Sequence, residues 1–330
     1  MSINLMCYGV REVEVPYFNE LNKYSYNTTL VEDLLNSENL DMVKGHNSVM
    51  LRGNCHATRD VIKTMADYGV KYLLTRTVGF NHIDIDAAKE YGMKVARVPG
   101  YSPNAISELA LTLTMTLLRS TTYTVNKTVK KDFTADPTMF SPEIRNCTVG
   151  IIGTGKIGLT TARLFKGLGA DVIAYDVFEN ESARDIVRYV SMEELQKQSD
   201  VISIHCPYFK DSNHHMVNDK FIGNMKDNSI LINTARGELQ DIEAVIRGLE
   251  SGKLKGFGTD VLEGEHNIFF KNLEGKPLDA NVEKLINLFP RVMITPHIGS
   301  YTDEALTNMV EISYDNLNDI LTQGYSINEL

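Results

Sequence analysis

The sequence predicts an α/β fold with two doubly wound parallel-sheet domains. Strand-like apolar runs alternate with helical patterns along the whole chain, which is typical of parallel sheets with helices on both faces. A glycine-rich turn lies directly between one of these strands and the following helix. The chain has 330 residues, which is more than one ordinary hydrophobic core supports. We therefore expect two domains.

Composition and charge narrow the class of protein. Hydrophobic residues make up 43% and charged residues 23%, as in an ordered globular protein. No apolar run reaches the roughly 18 residues that a membrane span needs, and the start of the chain does not resemble a signal peptide. We therefore expect a cytoplasmic protein with no membrane partner. The formal net charge of -10 also disfavours nucleic acid as a partner.

Cysteine and histidine spacing does not indicate a metal site. The 4 cysteines are scattered without a CxxC pair, so we expect reduced thiols. The 8 histidines show no HExxH or similar spacing. The adjacent His214 and His215 are interpreted as solvated loop residues. The sequence thus predicts no bound metal.

The first third of the chain is predicted to form buried strands joined by helices. The strands are INLMCYGV, SVMLRG, KYLLTRTVG and MKVARVP. A long helix then begins near Pro103 and continues to Arg119, and proline suits the first turn of a helix. Because this helix is apolar on most faces, we expect it to be buried between layers.

A second α/β set begins at Cys147 and continues to about Gly299. The last amphipathic helix, DEALTNMVEISYDNLNDIL, is expected to pack back on the first set. This arrangement predicts one discontinuous domain, residues 1–101 with 300–330, which would bind the substrate. Residues 102–299 would form the nucleotide-binding domain.

The most informative stretch is CTVGIIGTGKIGLTTARLFKGLGADVIAYD. A buried strand leads into Gly153, Gly155 and Gly158, a helix follows, and the next strand ends at Asp176. In a Rossmann-like fold these glycines allow a tight turn, a close approach of the backbone to a pyrophosphate, and close helix packing. Asp176 would accept hydrogen bonds from the adenosine ribose and repel a 2′-phosphate. We therefore predict NAD rather than NADP as the cofactor.

Two further segments lie where such a cofactor would bind. Lys156 and Ile157 open the helix after the glycine turn, where free N–H groups and the helix dipole favour phosphate. Cys206 and Pro207 follow the buried strand VISIH, at the strand end where ligands lie in a doubly wound sheet. They are interpreted as an adenine wall, although a plain break between strand and loop remains an alternative.

Reactive side chains follow three later strands. Arg236 lies in NTARGELQD, Asp260 and Glu265 lie in GTDVLEGEH, and His297 lies in TPHIGSYTDE. Each has an ordinary structural explanation, but carboxyl ends of parallel strands meet at one sheet edge. Reduction of a carbonyl by hydride needs a fixed cation, a proton donor and a carboxylate beside that donor. Arg236, His297 and Glu265 fit these roles.

These motifs resemble those of the D-isomer-specific 2-hydroxyacid dehydrogenases. GTGKIG with Asp176, NTARGELQD, DVLEGE and TPHIGSYTDEA carry the resemblance, and YGVRE, RTVGFNHID and VPGYSPNAISELA extend it over the whole chain. The sequence is most similar to the (R)-2-hydroxyglutarate and D-lactate dehydrogenase branch. The resemblance implies a cleft between two Rossmann-like domains. It also implies a homodimer with the helix after Pro103 at the interface.

The resemblance also assigns individual residues. The catalytic positions fall on Arg236, Glu265 rather than Glu263, and His297. Further matches are cofactor contacts at Asn213, Thr234, Ala235, Arg236 and Asp260, and substrate contacts at Val78, Gly79 and Tyr101. Lys156 stands where relatives vary and is expected to add a phosphate contact. Glu238 and Gln240 depart from the family pattern and are expected to be peripheral.

Arg52, directly after the apolar run 49–51, bears on the substrate. The family fold turns this loop towards the substrate side chain, where a cation would favour a second carboxylate. The leading prediction is thus reduction of 2-oxoglutarate to (R)-2-hydroxyglutarate. A salt bridge between Arg52 and a surface acid is the structural alternative. The functional alternatives are a D-lactate or bulky 2-oxoacid dehydrogenase, and a corepressor-like protein that senses NADH.

Overall fold

The computed structural model describes residues 3–330, which divide into two compact units. Unit 1 comprises the chain up to Ser102 together with Tyr301–Leu330. Unit 2 is Pro103–Ser300. Each unit contains one all-parallel β-sheet, as the predicted α/β class requires.

The strands within residues 3–330 are β1 (Asn4–Tyr8), β2 (Asn27–Val31), β3 (Ser48–Leu51), β4 (Tyr72–Thr75), β5 (Lys94–Arg97), β6 (Thr148–Ile152), β7 (Asp171–Tyr175), β8 (Arg188–Tyr189), β9 (Val201–Ile204), β10 (Ser229–Asn233), β11 (Leu254–Thr259) and β12 (Val292–Ile294). The α-helices are α1 (Val15–Glu20), α2 (Arg59–Asp67), α3 (Ile85–Glu90), α4 (Pro103–Leu118), α5 (Thr121–Val129), α6 (Lys156–Gly167), α7 (Met192–Gln198), α8 (Lys210–Asn213), α9 (Asp219–Asn224), α10 (Ile242–Glu250), α11 (Ala280–Asn287) and α12 (Asp303–Gln323).

The sheet of unit 1 has the strand order β2-β1-β3-β4-β5. Strand β2, NTTLV, was not predicted, because it is an edge strand with no buried residue and no long apolar run. Arg52 therefore follows the third strand of the chain rather than the second. The other four strands coincide with the apolar runs of the sequence.

Helix α12 packs on the sheet of unit 1. Its buried residues Val310, Tyr314 and Leu317 share a hydrophobic core with Leu5 and Leu74. The helix begins after Thr302, whose hydroxyl accepts from the Ala305 N–H at 3.2 Å. It ends at Gly324, which has a φ of 84°. The end of the chain thus completes the unit that its beginning forms.

The sheet of unit 2 has the order β12-β11-β10-β9-β6-β7-β8. The chain first extends the sheet from β6 to β8, and then crosses to β9 on the other side of β6. The carboxyl ends of β6 and β9 therefore lie at the point where the strand order reverses, where doubly wound sheets bind ligands. Helix α4 covers one face through Ala110, Leu113 and Leu117.

Within residues 3–330, the structure contains no helix with the length and apolar character needed to span a membrane.

Candidate cofactor-binding and active site

The loop between β6 and α6 needs glycine at two positions. Gly153 has a φ of 92°, and a Cβ there would lie 2.6 Å from the Cys206 nitrogen. A Cβ at Gly158 would lie 1.9 Å from the Gly153 carbonyl oxygen. At Gly155, by contrast, a Cβ would meet nothing within 4 Å. The loop therefore packs tightly at Gly153 and Gly158 and is open at Gly155. This shape suits a pyrophosphate beside the start of α6.

Asp176, at the end of β7, is held by the same glycine loop. One of its oxygens accepts from the Thr154 N–H at 2.6 Å and from the Thr154 hydroxyl at 3.0 Å. The other accepts from the Phe178 N–H at 3.0 Å. Tyr189 completes the arrangement, because its hydroxyl donates to Thr154 Oγ1 at 2.9 Å. Sequence analysis did not identify Thr154 or Tyr189, since neither position belongs to the glycine pattern.

The loop after β9 contains the predicted adenine wall. Cys206 is half-buried, and burial raises the pKa of its thiol to about 11, so the thiol is neutral. Pro207 is exposed, and its carbonyl accepts from the Asn213 side chain at 2.8 Å. Asn213 also accepts from the Phe209 N–H at 2.7 Å. Asn213 therefore shapes the loop that presents Cys206 and Pro207.

Arg236 lies in the loop after β10, and buried amides hold its backbone. The Asn233 side chain accepts from the Ala235 N–H at 2.9 Å and donates to the Arg236 carbonyl at 2.8 Å. Gln240 in turn accepts from the Asn233 amide at 2.8 Å and donates to the Val261 carbonyl at 3.2 Å. The expectation that Gln240 is peripheral was wrong, because this side chain is fully buried. Glu238, the other departure, is half-buried.

Asp260, at the end of β11, holds the loop that follows β12. Its carboxylate accepts from the Thr295 hydroxyl at 2.6 Å and from the N–H groups of Ile298 and Gly299 at 2.9 and 2.8 Å. Burial nevertheless raises the pKa of Asp260 above its ordinary value, against these hydrogen bonds. The contact of Asp260 with the nicotinamide amide stays a prediction. What the structure shows is a carboxylate that positions the loop of His297.

His297 and Glu265 form a direct pair. The imidazole Nδ1 lies 2.5 Å from Glu265 Oε1, and the second carboxylate oxygen accepts from the Leu262 N–H at 3.0 Å. His297 has a φ of 54°, an unusual conformation for a residue other than glycine. Both side chains are partly exposed. The Glu265 carboxylate thus orients the ring through Nδ1.

Three features of unit 2 fit a bound dinucleotide. Lys156 is exposed at the first residue of α6, and Ile157 beside it is half-buried. The Thr234 hydroxyl is buried and has no hydrogen-bond partner within residues 3–330. The glycine loop, open at Gly155, and the carboxylate of Asp176 lie at the switch point of the sheet. A ligand with a pyrophosphate and ribose hydroxyls would match these groups.

In unit 1, Arg52 contacts a tyrosine far away in the sequence. Its guanidinium donates to the Tyr301 hydroxyl, and its charged carbon lies 5.8 Å from the Tyr301 ring centroid. Arg11 stacks on the same ring at 4.0 Å. Burial lowers the pKa of Arg52, and the charges of Arg11 and Arg76 lower it further. Tyr301 and Arg11 were not among the predicted site residues.

The other predicted substrate residues also lie in unit 1. Val78 and Gly79 are half-buried after β4, and their carbonyls accept from Arg97 and Thr77 at 2.9 and 2.7 Å. Tyr101 is half-buried, and its carbonyl accepts from the Asn308 side chain. The carbonyls of these residues are thus engaged within the unit.

The fold and these side chains define a dinucleotide-dependent oxidoreductase, and the comparisons specify the family. The sequence profile described as "D-isomer specific 2-hydroxyacid dehydrogenase, NAD binding domain" matches residues 111–299. The chain therefore belongs to the D-isomer-specific 2-hydroxyacid dehydrogenases, and its cofactor is NAD.

Relatives over the full length support this assignment. An aromatic 2-oxoacid reductase of Clostridium sporogenes is 39% identical, over 99% of this chain and 99% of its own length. A D-lactate dehydrogenase of Lactiplantibacillus plantarum is 40% identical, over 98% of this chain and 97% of its own. The NAD-complexed crystal structure of a D-isomer-specific 2-hydroxyacid dehydrogenase from Lactobacillus delbrueckii ssp. bulgaricus has a TM-score of 0.85 and 35% identity, with 99% of both chains covered. All three are named as enzymes, which favours an enzyme over the NADH-sensing alternative.

Proposed function

We propose that Arg236, Glu265 and His297 are the residues with which this dehydrogenase reduces a 2-oxoacid to the (R)-2-hydroxyacid. The observation that carries the proposal is the contact of His297 Nδ1 with Glu265 at 2.5 Å. This contact directs the other ring nitrogen of His297, Nε2, away from the carboxylate, and we assign Nε2 as the proton donor. The loop of Arg236 leaves β10, next to β11 in the sheet, so that all three side chains follow adjacent strands.

Each residue has a separate task in this proposal. Bound NADH supplies the hydride. The guanidinium of Arg236 binds the substrate carboxylate and polarises the oxo group, which a planar fork of donors suits. His297 gives a proton from Nε2 to the oxygen that becomes the hydroxyl, and Glu265 stabilises the charged ring before transfer.

We assign substrate binding in unit 1 to the predicted residues Arg52, Val78, Gly79 and Tyr101. The backbone N–H groups of Val78 and Gly79 would hold the substrate carboxylate, because a glycine backbone can approach an anion closely. The engaged carbonyls of both residues support this orientation of the loop. Tyr101 would contact the substrate through its phenol.

For the substrate itself we favour a 2-oxoacid with a neutral side chain, such as pyruvate or an aryl-pyruvate. This was the alternative in the sequence analysis, and the names of the relatives support it. The aromatic residues Phe80 and Tyr101 in unit 1 suit an apolar side chain.

A second candidate is 2-oxoglutarate, and one observation favours it. Arg52 is a half-buried cation whose pKa is lowered first by burial and then by the charges of Arg11 and Arg76. Glu14 pairs with Arg76 at 3.0 Å and with Arg11 at 3.7 Å, so Arg52 is the cation of this cluster that a substrate carboxylate would pair with. A charge-assisted hydrogen bond to a second carboxylate would contribute about 1.5–3 kcal/mol, or roughly ten- to a hundredfold in selectivity.

The experiment compares kcat/KM for pyruvate, phenylpyruvate and 2-oxoglutarate through NADH oxidation, with chiral analysis of the product. Arg52→Ala is measured beside the wild type. Arg59→Ala is the matched control, since Arg59 is an exposed arginine of unit 1 in a surface ion pair with Glu90. If 2-oxoglutarate is the substrate, Arg52→Ala lowers its kcat/KM by at least about tenfold relative to pyruvate. If the ratio of kcat/KM for 2-oxoglutarate to kcat/KM for pyruvate is unchanged in Arg52→Ala, Arg52 does not select the substrate. A failure of all 2-oxoacids to oxidise NADH would refute the proposed catalytic roles.

We also propose that the chain forms a homodimer and that it is located in the cytoplasm. The apolar side chains Val129, Phe133 and Phe140 are 76%, 80% and 77% exposed in and after α5. A surface of this kind favours a protein partner. Sedimentation velocity of the purified chain tests the dimer, and cell fractionation tests the location.

A further inference from the structure

Three ligand-type side chains meet on two loops of unit 2. His214 and His215 follow α8, and Glu263 lies in the loop after β11. The two imidazole rings stack with centroids 3.9 Å apart and an angle of 20° between their planes. His215 Nε2 lies 2.7 Å from one oxygen of Glu263, and His214 Nε2 lies 3.3 Å from the other. One nitrogen from each histidine and one carboxylate oxygen of Glu263 thus all lie within 4.8 Å of one another.

The separation of these atoms suits a small metal ion. Zinc binds imidazole nitrogen at about 2.0–2.1 Å and carboxylate oxygen at about 2.0–2.2 Å, so neighbouring donors in a tetrahedron lie roughly 3.3–3.5 Å apart. The distance of 3.3 Å from His214 Nε2 to Glu263 already has that length. His215 Nε2 lies 2.7 Å from the other oxygen of Glu263, so this exposed carboxylate would have to turn one oxygen towards both imidazoles to act as a single ligand.

The proposed catalytic residues do not use this cluster. Glu265 binds His297, whereas Glu263, two residues earlier, turns its carboxylate to the histidine pair. His214 and Glu263 are exposed, so an ion in solution can reach them. Two imidazole nitrogens with one carboxylate oxygen favour a transition metal over magnesium or calcium, which prefer oxygen ligands.

We propose that His214, His215 and Glu263 form a binding site for one divalent transition metal ion, of the class of Zn²⁺, with water as the remaining ligand. The site would join two loops that flank the proposed active site. His215 N–H donates to the Glu238 carbonyl at 2.9 Å, next to the segment of Arg236. Gly237 packs so closely on the backbone of Leu262 and Glu263 that a Cβ would lie 2.1 Å from the Leu262 carbonyl carbon. A bound ion would therefore stiffen the loops that carry the cofactor and catalytic residues.

The test uses the full chain, free of any affinity tag and treated with a chelator, and titrates it with Zn²⁺ by calorimetry. Co²⁺ serves as a second probe, because four-coordinate Co²⁺ has visible absorption bands that the hexaaqua ion lacks. We expect one equivalent of metal per chain, a tetrahedral Co²⁺ spectrum, and a higher melting temperature in the presence of Zn²⁺.

The variants are His214→Gln, His215→Asn and Glu263→Gln. Asparagine is chosen at position 215 because His215 has a φ of 50°, a conformation that asparagine tolerates. Each substitution should weaken binding by at least about tenfold, as loss of a ligand or its support does at metal sites. His56→Gln, an exposed histidine of unit 1, is the matched control and should bind metal like the wild type.

Two results would overturn the proposal. One is a wild-type chain that takes up no Zn²⁺ or Co²⁺ as a single equivalent. The other is binding that the three ligand variants retain, or that His56→Gln loses to the same extent. Melting temperatures measured in chelator show whether each variant is folded, so a folding defect is not mistaken for a lost ligand.

Discussion

Gln240→Met tests whether a buried amide network positions Arg236. Gln240 is fully buried, and it joins the Asn233 side chain to the Val261 carbonyl. Methionine has a similar length and fills the space without a cavity, so the change removes hydrogen bonds and little packing. The Val261 carbonyl keeps a partner, because the Thr259 hydroxyl also donates to it at 2.6 Å. One N–H of Asn233 is left without an acceptor.

The expected cost follows from that single orphaned group. An unsatisfied buried donor costs about 1–3 kcal/mol. Unit 2 spans Pro103–Ser300, and for a domain of that size 1 kcal/mol lowers the melting temperature by about 2–4 °C, so the expected drop is about 2–12 °C. Asn233 also fixes the Ala235 N–H and the Arg236 carbonyl. A loosened Arg236 should lower kcat/KM by roughly 10- to 100-fold.

Calorimetry and steady-state NADH oxidation measure the two effects. Gln198→Met, an exposed glutamine of unit 2 bonded to Glu194, is the control and should change neither quantity. A variant with a lower melting temperature and unchanged kcat/KM would show that Gln240 stabilises the unit without positioning Arg236. A variant with neither effect would refute the network altogether.

Further predictions concern the catalytic pair, the cofactor and pH. His297→Gln should lower kcat by about 10²–10⁴-fold by loss of the proton donor, and Arg236→Ala should raise KM and lower kcat together, both seen in steady-state assays. Asp176→Ser should lower the preference for NADH over NADPH by at least about tenfold, measured as the ratio of kcat/KM values. Burial lowers the pKa of His205 from its ordinary value of 6.5 to about 3. As the pH falls below 6.5, the His205 imidazole therefore takes up a proton in the unfolded chain before it does so in the folded chain. The free energy of unfolding is highest above pH 6.5 as far as this group is concerned, and that contribution is lost as the pH falls towards 3. The free energy of unfolding, measured with urea between pH 7 and 5, should depend less on pH in His205→Gln than in the wild type.

The α/β class and the NAD cofactor could be predicted because their signals are local. A buried parallel strand is a short apolar run, and a dinucleotide turn is a glycine pattern between strand and helix. Strand β2 shows the limit of this reasoning. NTTLV lies at a sheet edge and buries no residue fully, so that its hydrophobicity does not distinguish it from a loop.

Contacts between distant segments could not be read from spacing. Arg52 and Tyr301 are 249 positions apart, and Asp176 reaches Thr154 across 22. His214 and His215 were interpreted as solvated loop residues, but their carboxylate partner is 49 and 48 positions away. Charge and burial in the folded chain, rather than sequence pattern, select these partners.

The three proposed catalytic side chains depend on a common set of polar groups beneath them. The loops after β10, β11 and β12 are joined by hydrogen bonds from the Asp260 N–H to the Asn233 carbonyl at 3.0 Å and from the Thr295 N–H to the Thr259 carbonyl at 2.9 Å. Buried hydrogen bonds of this kind keep their geometry because breaking one leaves a polar group without any partner, since water does not reach it. Negative charge develops on the substrate oxygen during reduction, and it is stabilised by hydrogen-bond donors that are already oriented. These donors stay oriented only if the three loops are rigid. In the proposed mechanism the neutral amides and the buried Asp260 carboxylate therefore act as positioning residues, and none needs to touch the substrate.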